Sequence, residues 1–221
     1  DREFETEQMW NIEGGVKGLW LDGSLQAQLA VFYQLRDDIQ IKQSLVQPID
    51  ETNATSFTDY FGNAAKGTNM GTELEFNWFA SETVALFGSI GLLKTEFDTP
   101  LSETLDGREQ AHAPSYQFAL GASFQVTDSL AVGLDIEAKD EFFLSSRHSA
   151  KTQSYELLNA NLTYDTGDWQ LSLWGRNLTD EDVIVRGFGS FGNDPRKGYE
   201  TEPYYQYGAP RVFGLTGKYD F

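Results

Sequence analysis

The side chains best suited to gripping a small ligand collect between residues 180 and 208: Arg186, Phe188, Phe191, Arg196, Lys197, Tyr199, Tyr204, Tyr205 and Tyr207. Guanidinium and ammonium groups draw in an anion, and aromatic rings offer it flat apolar area and cation–π contact. A second set is spread at alternate positions: Glu73, Glu75 and Asn77, then Asp135 and Glu137, then Arg176. Polar groups spaced two apart share one face of a strand, and a face carrying many of them meets water or a polar partner. No catalytic residue emerges. His148 has Ser145, Ser146 and Ser149 close by in sequence, but a serine nucleophile needs a base held by an acidic orienter, and loop neighbours do not supply that geometry. His112 and His148 lie far apart in the chain and make no zinc cluster, and Glu103, Asp106 and Glu109 read as a solvated acidic loop, so no metal site is assigned.

Strands must hold these positions, because the period is two almost everywhere. Tyr116, Phe118, Leu120, Ala122, Phe124 and Val126 alternate with Gln117, Ala119, Gly121, Ser123 and Gln125; after Thr127-Asp128-Ser129 the pattern resumes with Leu130, Val132, Leu134 and Ile136. Extended along the chain, the alternation predicts about nine strands near 11–21, 25–42, 61–79, 84–97, 114–126, 130–142, 154–165, 169–179 and 209–221. Short turns at 22–24, 80–83, 127–129 and 166–168 alternate with long connections at 43–60, 98–113, 143–153 and 180–208. A soluble sandwich has no reason to gather every long connection at one end, whereas a transmembrane β-barrel does. The segments also exceed the roughly 5–6 residues of a soluble strand and suit the roughly 9–11 that cross a membrane.

Composition narrows the classes further. The chain of 221 residues carries 34 acidic and 16 basic side chains, a net charge of −18, which argues against a nucleic-acid partner. It has no cysteine, hence no disulfide framework and no thiolate site. No apolar run is long enough for a membrane helix, which leaves a membrane barrel open. In such a barrel Leu29, Val31, Leu74, Phe76, Leu120, Leu134, Leu171, Leu173 and Leu215 face lipid. Gln26, Gln28, Glu73, Glu75, Asn77, Asp135, Glu137, Ser172 and Arg176 face the lumen. Trp10, Trp20, Trp78, Trp169 and Tyr219 fall near strand ends, as interfacial aromatic girdles require. A soluble all-β domain with the same aromatics in its core is the competing reading.

The stretches Trp174 to Asp180, Pro210 to Leu215 and Asn63 to Glu73, taken in order, resemble those of the TonB-dependent outer-membrane receptor family, most of all its ferric-siderophore branch. Trp174-Gly-Arg-Asn-Leu-Thr-Asp180 is similar to the family's NL-[FT]-[DN] signature, and Pro210-Arg-Val-Phe-Gly-Leu215 to its PR-x-[FYW]-x-[LV] signature. Asn63-Ala64 through Gly71-Thr-Glu73 resembles NA-x-x-[AG]-x-x-x-G-x-E. Trp10 to Gly18 and Ala30 to Gln40 resemble the strands that precede it, and Tyr219 and Phe221 supply a terminal aromatic signal of the kind read by the barrel assembly machinery.

The resemblance implies an all-β, transmembrane antiparallel β-barrel, of which residues 1–221 supply the C-terminal part, about nine strands of a 22-stranded barrel. The plug domain, the TonB box and the earlier strands are expected to lie outside this sequence. The resemblance also implies the outer membrane of a Gram-negative bacterium, with the long loops extracellular among lipid and lipopolysaccharide. It implies TonB-energised uptake of a ferric siderophore or other small-molecule iron chelate, carried as cargo with no resident cofactor. The TonB-ExbB-ExbD system would act through the plug. A passive porin or an adhesive barrel shares the fold and lacks the energised step.

Overall fold

The computed structural model describes residues 3–48, 55–99, 103–146, 148–191, 195–198 and 201–220. Its main element is one antiparallel sheet of nine strands: β1 (Gln8–Trp20), β2 (Leu25–Pro48), β3 (Thr55–Phe79), β4 (Val84–Asp98), β5 (Tyr116–Thr127), β6 (Leu130–Lys139), β7 (Tyr155–Asp165), β8 (Trp169–Arg176) and β11 (Val212–Tyr219). Each strand pairs with its sequence neighbour except the last. There β8 pairs directly with β11, across a separate hairpin of β9 (Ile184–Phe191) and β10 (Thr201–Tyr207). The nine strands are those the alternation predicts. The hairpin is new, and β2 and β3 run well into the expected connection at 43–60.

The register keeps one phase across the whole sheet. Val16 lies opposite Leu29, Leu29 opposite Leu74, Leu74 opposite Ile90, and Ile90 opposite Phe118. Leu134, Leu171, Leu173 and Leu215 fall on this same face. The other face carries Gln28, Glu75, Ser89, Ala119, Glu137 and, further along, Arg176. Directly opposed residues point to the same side of a sheet, so the apolar and polar sets separate strand by strand. Many large apolar side chains of the first face stand exposed: Ile12 at 74%, Leu173 at 54% and Leu215 at 74%.

The exposed band has a defined height. On β1 it runs from Trp10 to Trp20, ten steps or about 33 Å along the strand, and a barrel tilt near 40° reduces that to about 25 Å, the height of the apolar band of a membrane barrel. Aromatics edge it. Trp20, Trp78, Trp169 and Tyr219 stand at the short-turn end, where the Trp169 and Tyr219 rings lie 4.6 Å apart. Trp10 and Tyr33 stand at the other end.

Beyond the band, at the end of the long connections, side-chain amides replace the ladder. β2 bulges after Arg36, with Asp38 in the left-handed region at φ 57°. Asn63 closes this irregularity: its Nδ2 donates to the carbonyls of Asp38 and Glu5, and its Oδ1 accepts from the Glu5 amide. Glu7 takes the Arg36 guanidinium. The charged stretch before β1 is thereby laid along the root of the β2–β3 arm. Gly67 and Gly71 are required by close approach: a Cβ at Gly67 would meet Ile39 at 2.8 Å, and one at Gly71 the Phe32 ring at 2.5 Å.

A second clamp ends β8. Asn177, 3% exposed and at φ 50°, follows the last residue of β8, which ends three residues short of the predicted 179. Its side chain accepts from the Glu181 amide and donates to the carbonyls of Glu181 and Ala209. Asp180 then accepts from the backbone amide and the guanidinium of Arg211, and Arg211 also donates to the Leu178 carbonyl. The two signature stretches around 177–180 and 210–211 are thus halves of one clamp that sets β11 beside β8. Pro210 stands just outside β11 and takes no ladder bond.

Two outcomes are expected. Leu74→Arg, in the middle of the apolar band, costs about 2–4 kcal/mol in a lipid-refolded protein, whereas Ser89→Arg on the opposite face, beside Glu75, costs under about 1 kcal/mol. Guanidinium unfolding in vesicles measures both. Asn177→Ala leaves buried backbone groups unpaired and costs about 1–3 kcal/mol; Asn177→Gly, which relieves the positive φ, costs less but does not reach parity. The same titration distinguishes the two variants.

Candidate ligand-facing site

The polar face gathers into recesses. The larger, about 650 Å³, is walled by Asp135, Glu137, Asn159, Ser172, Trp174 and Arg176 and roofed by Val183, Val185, Ala209 and Pro210. Asn159 organises it. Its Nδ2 donates to Asp135 at 2.7 Å and to Glu137 at 3.4 Å, while its Oδ1 accepts from the Asn177 amide at 3.0 Å. A continuous run of hydrogen bonds therefore leads from the wall carboxylates through Asn159 and Asn177 to the root of the β9–β10 hairpin. A neighbouring recess of about 380 Å³ is lined by Glu73, Glu75, Gln117, Glu137, Lys139 and Tyr155. Asn77 lies further toward the turn end with Lys17, Gln26 and Gln28, and Gln28 donates to Glu75 at 2.5 Å. All six polar positions singled out from the sequence share this face.

At the far end three connections pack together. Residues 103–115 fold down over the polar face: Leu105 joins Ile39, Ile41, Ala65 and Phe97 in a small buried core. Gln110 donates to Asn69 and accepts from Arg36 through its side chain, and its backbone amide donates to the Thr95 hydroxyl oxygen. Arg108 crosses into the next connection and donates to the carbonyls of Ser145 at 2.8 Å and His148 at 3.1 Å. Its guanidinium lies 4.4 Å from the centre of the Phe143 ring, and the Lys151 ammonium is at the same distance. Lys151 also bridges Glu109 and Glu141. Leu144, 1% exposed, fills the space a Cβ at Gly187 would need and so seats the hairpin on the second connection.

The hairpin sorts the sequence-derived ligand candidates. Arg186 lies opposite Gln206 and Phe188 opposite Tyr204, at register positions of one face. Tyr205, opposite Gly187, belongs to the other face and is 43% exposed; Tyr207, beyond a register shift, is 63% exposed. Arg196 and Lys197 form a single 3-10 turn at the tip, with Lys197 paired to Glu202 at 3.6 Å. Phe191 ends β9 opposite Thr201. Tyr199 and the terminal Phe221 lie outside the described residues. Arg186, Phe188 and Tyr204 thus share register positions of one face, while Arg196 and Lys197 lie outside both strands, in the 3-10 turn.

Sequence reasoning missed Asn159 and the packing of His112. The first carried a readable signal, the Asn159-Ala-Asn161-Leu-Thr163 alternation. The second did not: His112 packs on Phe142 at 5.5 Å because of a contact between loops. Burial and the charge of Arg186 hold its imidazole below the ordinary histidine pKa, although a bond to the Leu144 carbonyl opposes this. Among the described residues no group of acidic or histidine side chains is arranged to hold a metal ion.

A family model described as TonB dependent receptor-like, beta-barrel, matches residues 1–178. The ferric-pyoverdine M114 receptor of Pseudomonas sp. (strain M114) is 24% identical over 198 residues, covering 84% of this chain and 23% of its own length. The ferrioxamine receptor of Yersinia enterocolitica is 22% identical over 208 residues, covering 90% and 28%. The chain thus spans about a quarter of the length of these relatives. In fold, the ferric yersiniabactin uptake receptor of Yersinia pestis superposes with a TM-score of 0.75 at 19% identity, over 97% of this chain and 30% of its own. A siderophore receptor of Acinetobacter baumannii gives 0.72 at 17%, over 95% and 28%. With a family model covering most of the sequence, and a sheet whose alternation and strand order suit an outer-membrane barrel, this chain belongs to the TonB-dependent receptor family, within its β-barrel region.

Proposed function

We propose that residues 1–221 form the C-terminal part of the barrel wall of an outer-membrane receptor that takes up a ferric siderophore by TonB-energised transport. The observation that carries this reading is the one-sided build: a belt about 25 Å high, short turns at one end, and three interlocked connections at the other, in a chain related to siderophore receptors. The long connections face outside, toward lipopolysaccharide, and the polar face lines the lumen against a plug supplied by another part of the polypeptide. The inner-membrane TonB-ExbB-ExbD system pulls on that plug. Tyr219 with Phe221 marks the terminal strand for the barrel assembly machinery.

The cargo lands on the hairpin. Arg186 gives an exposed cation in a strongly acidic chain, next to Phe188 and Tyr204 in register, a pairing suited to an anionic iron chelate with flat rings. Val183, Val185, Ala209 and Pro210 form the roof under which the cargo passes to the lumen wall. Transport, and not hydrolysis, is the fitting chemistry: His148 Nδ1 is occupied by the Ala150 amide and its Nε2 has no hydrogen-bond partner, so no serine is activated through it.

The test measures binding of ferric pyoverdine, ferrioxamine and a ferric catecholate by the natural polypeptide, with Arg186→Glu as the variant. Affinity for the accepted chelate is expected to fall at least tenfold, about 1.4 kcal/mol, with heat-modifiable migration of the barrel unchanged. Unchanged affinity for all three chelates refutes the hairpin assignment. Uptake that survives collapse of the proton gradient replaces energised transport with a passive barrel.

A further inference from the structure

The larger recess of the polar wall owes its shape to two glycines. Across its floor one cross-strand row reads Gly133, Asn161, Trp174 and Gly214, on β6, β7, β8 and β11 in turn. The outer two have no side chains, and the inner two spread over them. A Cβ at Gly133 would meet the Asn161 Oδ1 at 2.5 Å, and one at Gly214 would run into the six-membered ring of Trp174. Asn161 therefore leans toward β6 and the indole toward β11, which opens the seam between β7 and β8. The indole is fixed in that position, because its Nε1 donates to the Thr216 hydroxyl at 3.1 Å. One row nearer the turns, the Thr163 and Ser172 hydroxyls bond each other at 3.0 Å and complete the floor.

The next row outward carries the charge. Asp135 stands opposite Asn159, and the pairing of Ala160 with Gly175 sets Asn159 beside Arg176. Asn159 takes one oxygen of Asp135; the other, Oδ1, has no donor among the described residues. Among them the Arg176 guanidinium likewise has no hydrogen bond or ion pair, and it stands 5.5 Å from the centre of the Trp174 ring. The recess thus sets an aromatic surface beside an open carboxylate oxygen, an open guanidinium and a side-chain amide. Its volume of about 650 Å³ falls within the roughly 300–1,000 Å³ of small-molecule sites.

From this arrangement we infer that the recess is a binding site for an uncharged sugar ring. A sugar has an apolar C–H face to lay on the indole and a rim of hydroxyls that both donate and accept. Those hydroxyls donate to Asp135 Oδ1 and accept from Arg176 and the Asn161 amide. Charge decides against other small ligands. An anion drawn to Arg176 is set against Asp135 and against Glu137 one row further out, and a cation drawn to the carboxylates is set against Arg176. A neutral polyol uses both signs and strands neither. The site is separate from the hairpin face that carries Arg186 and does not depend on which chelate the receptor takes up.

The experiment presents glucose, galactose, N-acetylglucosamine, maltotriose and chitotriose to the natural polypeptide in detergent. Saturation-transfer NMR reads contact with the sugar ring protons, and titration gives the Kd. At least one of these sugars is expected to bind. Trp174→Ala is expected to weaken that binding by about tenfold or more, and Asp135→Asn, which keeps the shape and loses the charge, by about threefold or more. Heat-modifiable migration checks that each variant still forms the barrel. Transfer to none of the sugars overturns the site, including the case in which another part of the polypeptide fills the recess. Binding that Trp174→Ala leaves unchanged, in a barrel that migrates normally, also overturns it. Where Trp174→Ala yields no such barrel, Asp135→Asn decides: weakened binding supports the site and unchanged binding overturns it.

Discussion

Backbone amides and carbonyls at hydrocarbon depth have only each other to bond, and that requirement governs the rest of this molecule. It demands an unbroken ladder through the apolar belt, and an unbroken ladder transmits phase. Once Leu29 faces one way, so must Leu74, Ile90, Phe118 and Leu173, because a slip of one residue anywhere would turn a whole strand inside out. Within the nine-stranded sheet the register shifts lie at Arg36, Ile39 and Gln40 and between Gln125 and Thr127. The first lies midway along β2, past the belt on the side of the long connections, and the second at the turn end of β5. Irregular backbone is admitted only where another partner can be found.

At the rim beside the long connections those partners are amide side chains. Asn63 and Asn177 are alike in what they do: Asn63 bonds the left-handed position at Asp38 and Asn177 occupies one itself, and each uses both donor and acceptor of one amide to join segments the ladder no longer joins. Asparagine suits this because it tolerates or supports the left-handed region and its side chain mimics a peptide group. The Asp180–Arg211 pair adds orientation more than energy, being largely exposed. The buried Asn177 carries the greater share, since its loss would strand carbonyls in a place with little water. Its position also links the hairpin root to the polar wall: the same residue takes Asn159, which holds Asp135 and Glu137.

What could be read from the sequence is what the period of two controls. The strands of the sheet, the apolar and polar sets, and the polar wall of the candidate site all follow from alternation over eight or more residues. The β9–β10 hairpin escapes it, because Gly187, Gly189 and Pro203 interrupt the pattern. Gly187 is there for a tertiary reason, the Leu144 side chain that occupies its Cβ space. The role of Asn177 is equally hidden, since one of its partners, Ala209, is 32 residues away. The loop unit is hidden for the same reason. Arg108 reads as an exposed loop charge until it meets two carbonyls 37 and 40 residues further on.

The sheet also constrains whatever completes it. β1 runs from the long connections toward the turns, and with seven alternations through β8 so does β11. Two strands of the same direction cannot pair antiparallel with each other, so β1 and β11 cannot close this sheet as neighbours. Antiparallel closure needs an odd number of further strands between them, the first and last running the opposite way. Those strands must carry the same phase, apolar on the side of Leu29 and Leu215 and polar on the side of Gln28 and Ser172, since the ladder passes its phase across each new pair. A partner strand out of phase would put charge into the belt at a cost of about 2–4 kcal/mol for each basic residue near its middle. Closure is therefore selective as well as stabilising: the edges of β1 and β11 accept only strands patterned as these nine are.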